Sequence, residues 1–550
     1  MIYIHKALAK LEYLCYTEAA NDYLKKSAVS VGTVYTSLFI SFPWFCRKDS
    51  PMNGKNGVPE SFQKCLAALM EKRALSAGQL ADLMRYKSKT TLLRVLQGKA
   101  GIRCIGNVYA DLCRCEALEL TDAETDTLHV AYEVEVWGLD TYRARSEMWR
   151  LLRKSEPQQY TMQICMGSEM IPLDGFLDRF VPCTDPVPEN GIPAERLDIC
   201  ILSGGYPSIV SALIPLPNRM GSRIHVTQLL QLTGDTARTV RLIRNILPIL
   251  GYHTHEIYFN RQEDISPDPI YSYSGTGRAM ILKALLPDGS TREFQILLRD
   301  ENSGVLLESP GLWQHWTQYA SSYMEQMEPM KAAVPDMTDY VRLLEYYAET
   351  EKNRETLIYK EDICFHHIPT DILLHALLES SDSADMLDAV PKLRSMQEKR
   401  YHNVMTKRQH THWVASAEAL RRFARTGIQN DHFFAMRPFT REERLRIFRN
   451  LLHMLENNPY FHLYLMRPED EDSFLDLEAT YLEGAGLQLT PTGTDYRITN
   501  GWTETMLTEK SFCALYREFF MEELIGQHTC PPEDSAALLQ EIIRELQEEK

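Results

Sequence analysis

Cysteine is scarce in this chain: twelve of its 550 residues are cysteines, and they show no framework of short repeated spacings. That distribution excludes a disulfide-stapled scaffold and indicates free thiols in a reducing compartment, so we expect a cytoplasmic protein. Positive charge is also in deficit, because 59 lysines and arginines face 75 aspartates and glutamates, which gives a net charge of −16. The whole chain therefore repels nucleic acid and anionic lipid, and any contact with DNA requires a local reversal of sign.

Familiar catalytic signatures are missing as well. The sequence contains no G-x-S-x-G elbow, no Walker loop and no HExxH, and Gly275-Thr276-Gly277 lacks the third glycine of a dinucleotide turn. Paired histidines occur, but without the spacing of a metal site. We therefore predict no enzymatic activity, no cofactor and no metal. An enzyme with an unfamiliar site built around His402 to His412 stays open as an alternative.

The length and composition predict several globular domains. Apolar residues make up 44% of the chain and charged residues 24%, which is typical of folded domains of roughly 100 to 200 residues each. One uncharged stretch, Ser27 to Cys46, is long enough to span a bilayer. Its serines, threonines and Pro43 make insertion costly, so we do not expect a membrane anchor. Residues 1–51 are either a native extension or sequence upstream of a start at Met52.

A helical pattern begins at Glu60. Apolar residues at spacings of three and four predict a first helix ending near Arg73, and Ser76 with Gln79 fits a capping box for a second helix. After a short polar turn, Ser88 is the predicted cap of a third helix, which Gly98 ends. Two short helices across a tight turn indicate a helix-turn-helix.

Charge is segregated along this helical region. Between Leu83 and Ala110 there is no acidic residue but six lysines and arginines, and from Cys115 to Tyr142 there are eight acidic residues but no lysine or arginine. A protein that places one face on phosphate and keeps the remainder away from it needs this segregation. The alternative is a protein-docking module whose lysines are merely solvated.

The region from about residue 60 to 136 resembles the lambda-repressor/Cro-like (Xre-type) helix-turn-helix regulators. The matching residues are Leu75-Ser76, Leu80-Ala81, Leu83-Met84 and the run from Ser88 to Lys99 (SKTTLLRVLQGK). Leu93 departs from the family pattern, which has an exposed polar residue there. Further apolar residues predict a fourth and a fifth helix, as in the family.

The resemblance implies which residues contact DNA. Lys89, Thr90 and Arg94 would face the major groove, and Lys89 or Arg94 could read guanine through two donors. Ser88 at the helix start and Lys99 after its end would hold phosphates. The complete predicted DNA-contacting set is Lys87, Ser88, Lys89, Thr90, Arg94, Gln97 and Lys99.

Beyond the helical region, strands and helices alternate. Leu197 to Leu202 reads as a buried strand, Val226 to Leu247 and Phe474 to Leu482 as helices, and Pro287 to Ser290 as a hairpin turn. The two mixed regions could be distant copies of one design. A Thr440–Glu443 capping box predicts a helix over Arg441 to Glu456.

A second group of basic residues lies between Lys399 and Arg449, with arginine dominant. Because the guanidinium fork suits phosphate and carboxylate, these arginines could bind an anionic small-molecule effector. Salt bridging to the acidic remainder of the chain is the favoured alternative. The candidate anion-binding residues are Arg408, Arg421, Arg422, Arg425 and Arg437.

We therefore predict a multidomain chain in which an all-α helix-turn-helix N-terminal domain precedes mixed α/β (α+β) regions. The predicted segments are residues 1–58 (N-terminal extension), 59–155 (helix-turn-helix DNA-binding domain), 156–190 (linker), 191–350 (α/β sensory or oligomerisation region) and 351–550 (second α/β region with C-terminal helices). The predicted function is that of a bacterial-type transcription regulator that binds double-stranded DNA as a homodimer. A protein-interaction scaffold that docks a partner through its helical region is the alternative from another class.

Overall fold

Residues 62–137 form five helices around one apolar core, and we call this part of the chain the head. Phe62, Leu66, Leu80, Leu92 and Val95 are among its fully buried side chains, as the spacing of three and four predicts. The helices of the head are α1 (Phe62–Lys72), α2 (Ala77–Leu83), α3 (Lys89–Leu96), α4 (Ile102–Cys113) and α5 (Asp122–Trp137). A further helix, α6 (Leu139–Leu152), leads from the head to the rest of the chain.

This computed structural model describes most of the chain after residue 59. The described residues are 60–84, 89–152, 160–182, 192–202, 205–232, 235–252, 254–260, 279–325, 327–334, 337–379, 384–406, 409–429, 436–471, 477–491 and 502–549. They belong to one unit, Pro59–Lys550. The uncharged stretch Ser27 to Cys46 lies outside them. Among the helices within these ranges, none has the length and apolar composition needed to cross a membrane.

A first mixed sheet has nine strands in the order β2-β1-β8-β7-β6-β3-β4-β5-β9. Its strands are β1 (Gln163–Met166), β2 (Glu169–Pro172), β3 (Arg196–Leu202), β4 (Ile224–Gln231), β5 (His255–Asn260), β6 (Ala279–Leu285), β7 (Thr291–Leu298), β8 (Ser303–Glu308) and β9 (Glu328–Pro329). Its helices are α7 (Leu173–Leu177), α8 (Pro207–Leu213), α9 (Pro215–Met220), α10 (Thr236–Leu250) and α11 (Leu312–Met324).

A second mixed sheet has seven strands in the order β10-β16-β15-β14-β11-β12-β13. Its strands are β10 (Lys331–Val334), β11 (Glu355–Tyr359), β12 (His410–Ala415), β13 (Phe461–Leu465), β14 (Leu477–Leu482), β15 (Gly486–Pro491) and β16 (Trp502–Leu507). Its helices are α12 (Met337–Thr350), α13 (Thr370–Leu378), α14 (Ala384–Met405), α15 (Ala417–Thr426), α16 (Arg441–Asn457), α17 (Pro468–Glu471), α18 (Lys510–Phe519), α19 (Ile525–His528) and α20 (Pro532–Glu548), with a π-helical turn Phe520–Leu524 between α18 and α19.

Six strands of each sheet follow the same order: β8-β7-β6-β3-β4-β5 in the first and β16-β15-β14-β11-β12-β13 in the second. In each, three parallel strands alternate with helices. The following strand then returns antiparallel to the first of the three and opens an antiparallel meander. The shared order agrees with the expectation that the two regions are copies of one design.

Several local predictions are confirmed. The Ser76 and Thr440 capping boxes form with Gln79 and Glu443, and Gly98 follows α3 with a φ of +66°, a left-handed conformation that suits glycine. The buried strand Leu197 to Leu202 is the greater part of β3.

The helix expected over Val226 to Leu247 is wrong in its first part, because residues up to Gln231 are strand β4. Val226, Leu229 and Leu230 of this strand fall at spacings of three and four, which is also the pattern of a buried helix face. The helix itself starts at Thr236, where the Asp235 side chain accepts a hydrogen bond from the Arg238 amide. The helix expected over Phe474 to Leu482 is also wrong, since Leu477–Leu482 is strand β14 with alternating burial.

Two expected segment boundaries also differ from the structure. The region expected to be a linker, residues 156–190, contains β1, β2 and α7, and its Phe176 and Phe180 are buried in the core of the first sheet. Strand β10 pairs with β16, so the second sheet includes residues before 351. In both places the apolar runs are short and lie between prolines or polar residues. A division of the chain by composition therefore missed these helices and strands.

Candidate nucleic-acid interface

The exposed face of α3 carries most of the residues predicted to contact DNA. Leu92 and Val95 are fully buried and fix the orientation of the helix, which leaves Lys89, Thr90, Leu93, Arg94 and Gln97 exposed on the other side. Positions separated by three or four residues share one helix face. These five side chains therefore form a continuous stripe over the eight residues of α3, about 12 Å of helix.

Lys99 continues this stripe beyond the end of α3. It is exposed and its backbone amide bonds to the Arg94 carbonyl at 2.8 Å, so the turn at Gly98 holds it next to the last helical turn. The exposed Arg103 follows in the first turn of α4. Lys87 and Ser88, which are also in the predicted contact set, lie outside the described residues.

The cations of this stripe are not neutralised within the described part of the chain. Lys89, Arg94, Lys99 and Arg103 form no ion pair there. By contrast, Lys72 and Arg73 at the end of α1 both contact Glu124 at 2.8 Å, and their hydrogen bonds lower the pKa of that carboxyl. The head thus pairs its cations on one side and leaves them exposed on another.

Gly78 in α2 makes room for the Lys89 side chain. A Cβ atom at position 78 would lie 2.8 Å from the Lys89 ammonium nitrogen, so the lysine crosses closely over the start of α2. This contact places the ammonium between the two helices. Three apolar side chains, Leu83, Leu93 and Ile102, are also exposed, at 39%, 39% and 53%.

The arginines predicted to bind an anionic effector are paired with carboxylates. Arg421 contacts Glu541 at 3.1 Å, Arg422 contacts Glu361 at 3.6 Å and Arg425 contacts Glu418 at 2.6 Å. Arg437 bonds to Glu443 and Glu379, and Arg408 lies outside the described residues. These contacts fit salt bridging, the alternative that the sequence favoured.

The histidines of the proposed enzymatic alternative do not converge on one point. His402 is in α14 and is exposed, whereas His412 in β12 stacks on His462 with ring centroids 4.8 Å apart. Burial and the neighbouring His462 lower the pKa of His412 to about 4. Within the described ranges, no three histidine, cysteine or acidic side chains group as metal ligands would.

Sequence reasoning missed the charged network of α6, where the head joins the two sheets. Arg145, only 4% exposed, contacts Glu522 at 2.6 Å and Glu523 at 3.0 Å. Glu523 also accepts a hydrogen bond from the Trp149 indole at 2.6 Å. Two residues after Arg145, the buried Glu147 contacts the guanidinium groups of three arginines; these are Arg150, Arg241 and Arg244.

Glu523 should make stability depend on pH. Burial raises its pKa to about 7 from an ordinary 4.5, although Arg145 and Trp149 bond to it. Between these values the folded state retains a proton that the unfolded state has lost. Its contribution is therefore present below pH 4.5 and disappears as the pH rises through 7. We expect it to remove about 3 kcal/mol of unfolding free energy across that interval.

Urea unfolding of the full chain at pH 5, 6, 7 and 8 measures this contribution as the difference between the parent and Glu523→Gln. Glu518→Gln, with a side chain 55% exposed beside the same Arg145, is the control and should keep the parent slope. Parallel stability curves for the parent and Glu523→Gln would contradict the assignment.

Comparisons with protein-family models, with curated proteins and with solved structures each found no match.

Proposed function

We propose that this chain is a DNA-binding transcription regulator of the helix-turn-helix type, with α3 as the helix that enters the major groove. The observation that carries the proposal is the exposed stripe of α3, whose cations form no ion pair with the described residues, in a chain with a net charge of −16. An α-helix with its side chains is about 10 to 12 Å across, which fits the roughly 12 Å width of the major groove. Lys89 and Arg94 would contact base edges, and Lys99 would hold a phosphate.

The resemblance of residues 60–136 to the Xre-type regulators supports the same proposal. In this account the protein is a cytoplasmic homodimer, since two heads are needed to read two half-sites. The two-sheet region behind the head would sense a ligand or hold the dimer together, and α6 would connect it to the head.

Salt dependence tests the proposal. If each head neutralises two phosphates, with Lys99 and Arg103, a homodimer neutralises four. The logarithm of the association constant should then fall with the logarithm of salt concentration with a slope of about −4. Fragments selected from genomic DNA by the purified protein provide the ligand, and fluorescence anisotropy provides the affinity.

Lys99→Ala should weaken binding to all fragments alike and reduce the slope by about 1 per head, because it removes one phosphate contact. Failure to bind any fragment at about 50 mM salt, where electrostatic binding is strong, would contradict DNA binding. So would an affinity that does not change with salt.

A protein-docking role is the second candidate, favoured by the exposed Leu83, Leu93 and Ile102. Leu93→Gln distinguishes the two roles. Docking through the apolar side chain would be lost, whereas DNA affinity would change little, because the regulator family has a polar residue at this position.

A further inference from the structure

A polar cavity of about 120 Å³ lies on one face of the second sheet, under helices α12 and α14. Strands β11, β14, β15 and β16 form its floor. Tyr347 and Glu351 of α12, together with Arg400 of α14, form the cover. An apolar cavity of about 150 Å³ is known to accept benzene, so this one has room for a molecule of roughly six non-hydrogen atoms.

Two ion pairs line the cavity. Glu351, only 3% exposed, bonds to Arg400 through both carboxylate oxygens, at 2.5 and 3.1 Å. Lys360 at the end of β11 contacts Glu478 of β14 at 3.0 Å, and both side chains are mostly buried. Among the described residues that line the cavity, these pairs contribute two positive and two negative charges, which cancel.

The first sheet shows that this strand order does not require ion pairs on the equivalent face. Cross-strand partners in β14 and β15 place Glu478 beside Thr490 and Thr480 beside Gln488. On the equivalent face of the first sheet, the strands of matching order bury the apolar side chains Ile199, Ile201, Met280, Leu282, Phe294 and Ile296, and the Arg292–Glu308 ion pair on that face is partly exposed. The two sheets therefore share a strand order but differ on this face, which has an apolar core in the first sheet and is lined by ion pairs in the second.

The free energy of burying ion pairs explains why this difference between the two sheets matters. Burying ion pairs costs desolvation free energy, and replacing them with apolar residues of similar volume is often neutral or stabilising. Retaining two such pairs around an open cavity therefore has no evident structural benefit. A ligand that bonds to these groups supplies one.

Two residues that line the cavity carry buried polar atoms without a hydrogen-bond partner among the described residues. These atoms are the Tyr347 hydroxyl and His366 Nε2. His366 Nδ1 faces the Arg400 guanidinium at 3.5 Å, so it acts as the acceptor and the ring proton belongs on Nε2. Buried polar groups normally have partners, and these two groups supply a hydroxyl and an N–H donor.

We propose that this cavity binds a small zwitterion of the amino-acid type. A singly charged ligand would add an uncompensated charge to a neutral, largely desolvated site, and an apolar ligand would leave its polar groups unpaired. A molecule with one carboxylate and one ammonium avoids both costs. Its carboxylate would lie towards Lys360 and Arg400, and its ammonium towards Glu478. The inference does not depend on the proposed DNA-binding role of the head.

Thermal unfolding of the full chain tests the proposal with defined probes. Glycine and L-alanine are the zwitterions, and lactate and 1-amino-2-propanol are the anion and the cation of matched size. We expect at least one zwitterion to raise Tm in a saturable manner, and neither singly charged compound to do so. No shift with any zwitterion, or a larger shift with lactate or the amine, would overturn the proposal.

Lys360→Met with Glu478→Met gives the cavity the apolar character of the first sheet. This pair should leave the ligand-free Tm unchanged or higher and abolish the shift. Arg292→Gln with Glu308→Gln removes an exposed ion pair of the first sheet, 2.7 Å apart, and should keep the shift. A shift that survives in the Lys360/Glu478 variant would refute this cavity as the site.

Tyr347→Phe provides a second variant that does not disturb the ion pairs. It deletes a hydroxyl that has no hydrogen-bond partner in the part of the chain that the structure describes, so folding should be unaffected. Affinity for the active zwitterion, measured by calorimetry, should fall about threefold to tenfold through loss of one hydrogen bond. Unchanged affinity in this variant would contradict the proposed orientation of the ligand in the cavity.

Discussion

Replacing both Lys89 and Arg94 with alanine is expected to weaken binding to a selected DNA fragment about a thousandfold for each head that contacts it. Each side chain lies on the exposed stripe of α3 and has no ion-pair partner among the described residues. A contact of this kind is worth about 1 to 3 kcal/mol, so two together remove roughly 4 kcal/mol. Fluorescence anisotropy at fixed salt measures the change.

The matched control is Lys72→Ala with Arg114→Ala. It removes the same charge from the head, but both cations are already paired, with Glu124 at 2.8 Å and Asp111 at 3.9 Å. We expect its affinity to stay within about fivefold of the parent, since only long-range attraction is lost. Equal losses in the two double variants would mean that net charge, and not the face of α3, governs binding.

Arg145→Ala is expected to destabilise the protein by about 3 to 5 kcal/mol, because it removes one partner of a buried charge pair. The Arg145 side chain contacts Glu523 and Glu522, and its guanidinium lies 4.2 Å from the centre of the Trp137 ring. Its loss would leave Glu523 buried with the Trp149 indole as its remaining partner among these contacts. Urea denaturation at neutral pH measures the change in unfolding free energy.

Arg150→Ala on the same helix is the control for this substitution. Its side chain is 44% exposed and is one of three arginines that share Glu147. We expect it to cost less than about 1 kcal/mol, as exposed ion pairs do. A similar loss of unfolding free energy for both substitutions would show that α6 stabilises the protein through its helical structure and not through the buried contact between Arg145 and Glu523.

Local signals in the sequence account well for the head. The Ser76 capping box, the Gly98 stop and the inward positions of Leu92 and Val95 each depend on neighbours within one or two helical turns. Such features are encoded at fixed short spacings, and for that reason they were predictable. The strand β4 was missed because its Val226, Leu229 and Leu230 fall at spacings of three and four, which suit a helix equally well.

The network at α6 and the polar cavity have no such local signature. Arg145 and Glu523 are 378 positions apart in the chain, and the cavity combines side chains from α12 to β16. Composition pointed instead to the arginines between Lys399 and Arg449, although the structure gives those described in the predicted set carboxylate partners. Charge counts along a sequence do not reveal which partners folding brings together.

Because the two sheets share a strand order, their equivalent faces can be compared, which a single sheet does not allow. Where two sheets of the same strand order differ in the side chains on an equivalent face, the face that departs from an apolar core is a candidate functional site. The contrast between Ile201 or Met280 in the first sheet and Lys360 or Glu478 in the second is such a departure.

Photo-cross-linking from α3 tests the central claim most directly. A benzophenone amino acid at Gln97, exposed on the stripe of α3, is compared with the same group at Ala123, exposed on the acidic α5. The account predicts cross-links from position 97 to bases of a selected DNA fragment, and none from position 123. Cross-links from position 123 alone, or from position 97 to protein but never to DNA, would contradict groove entry by α3.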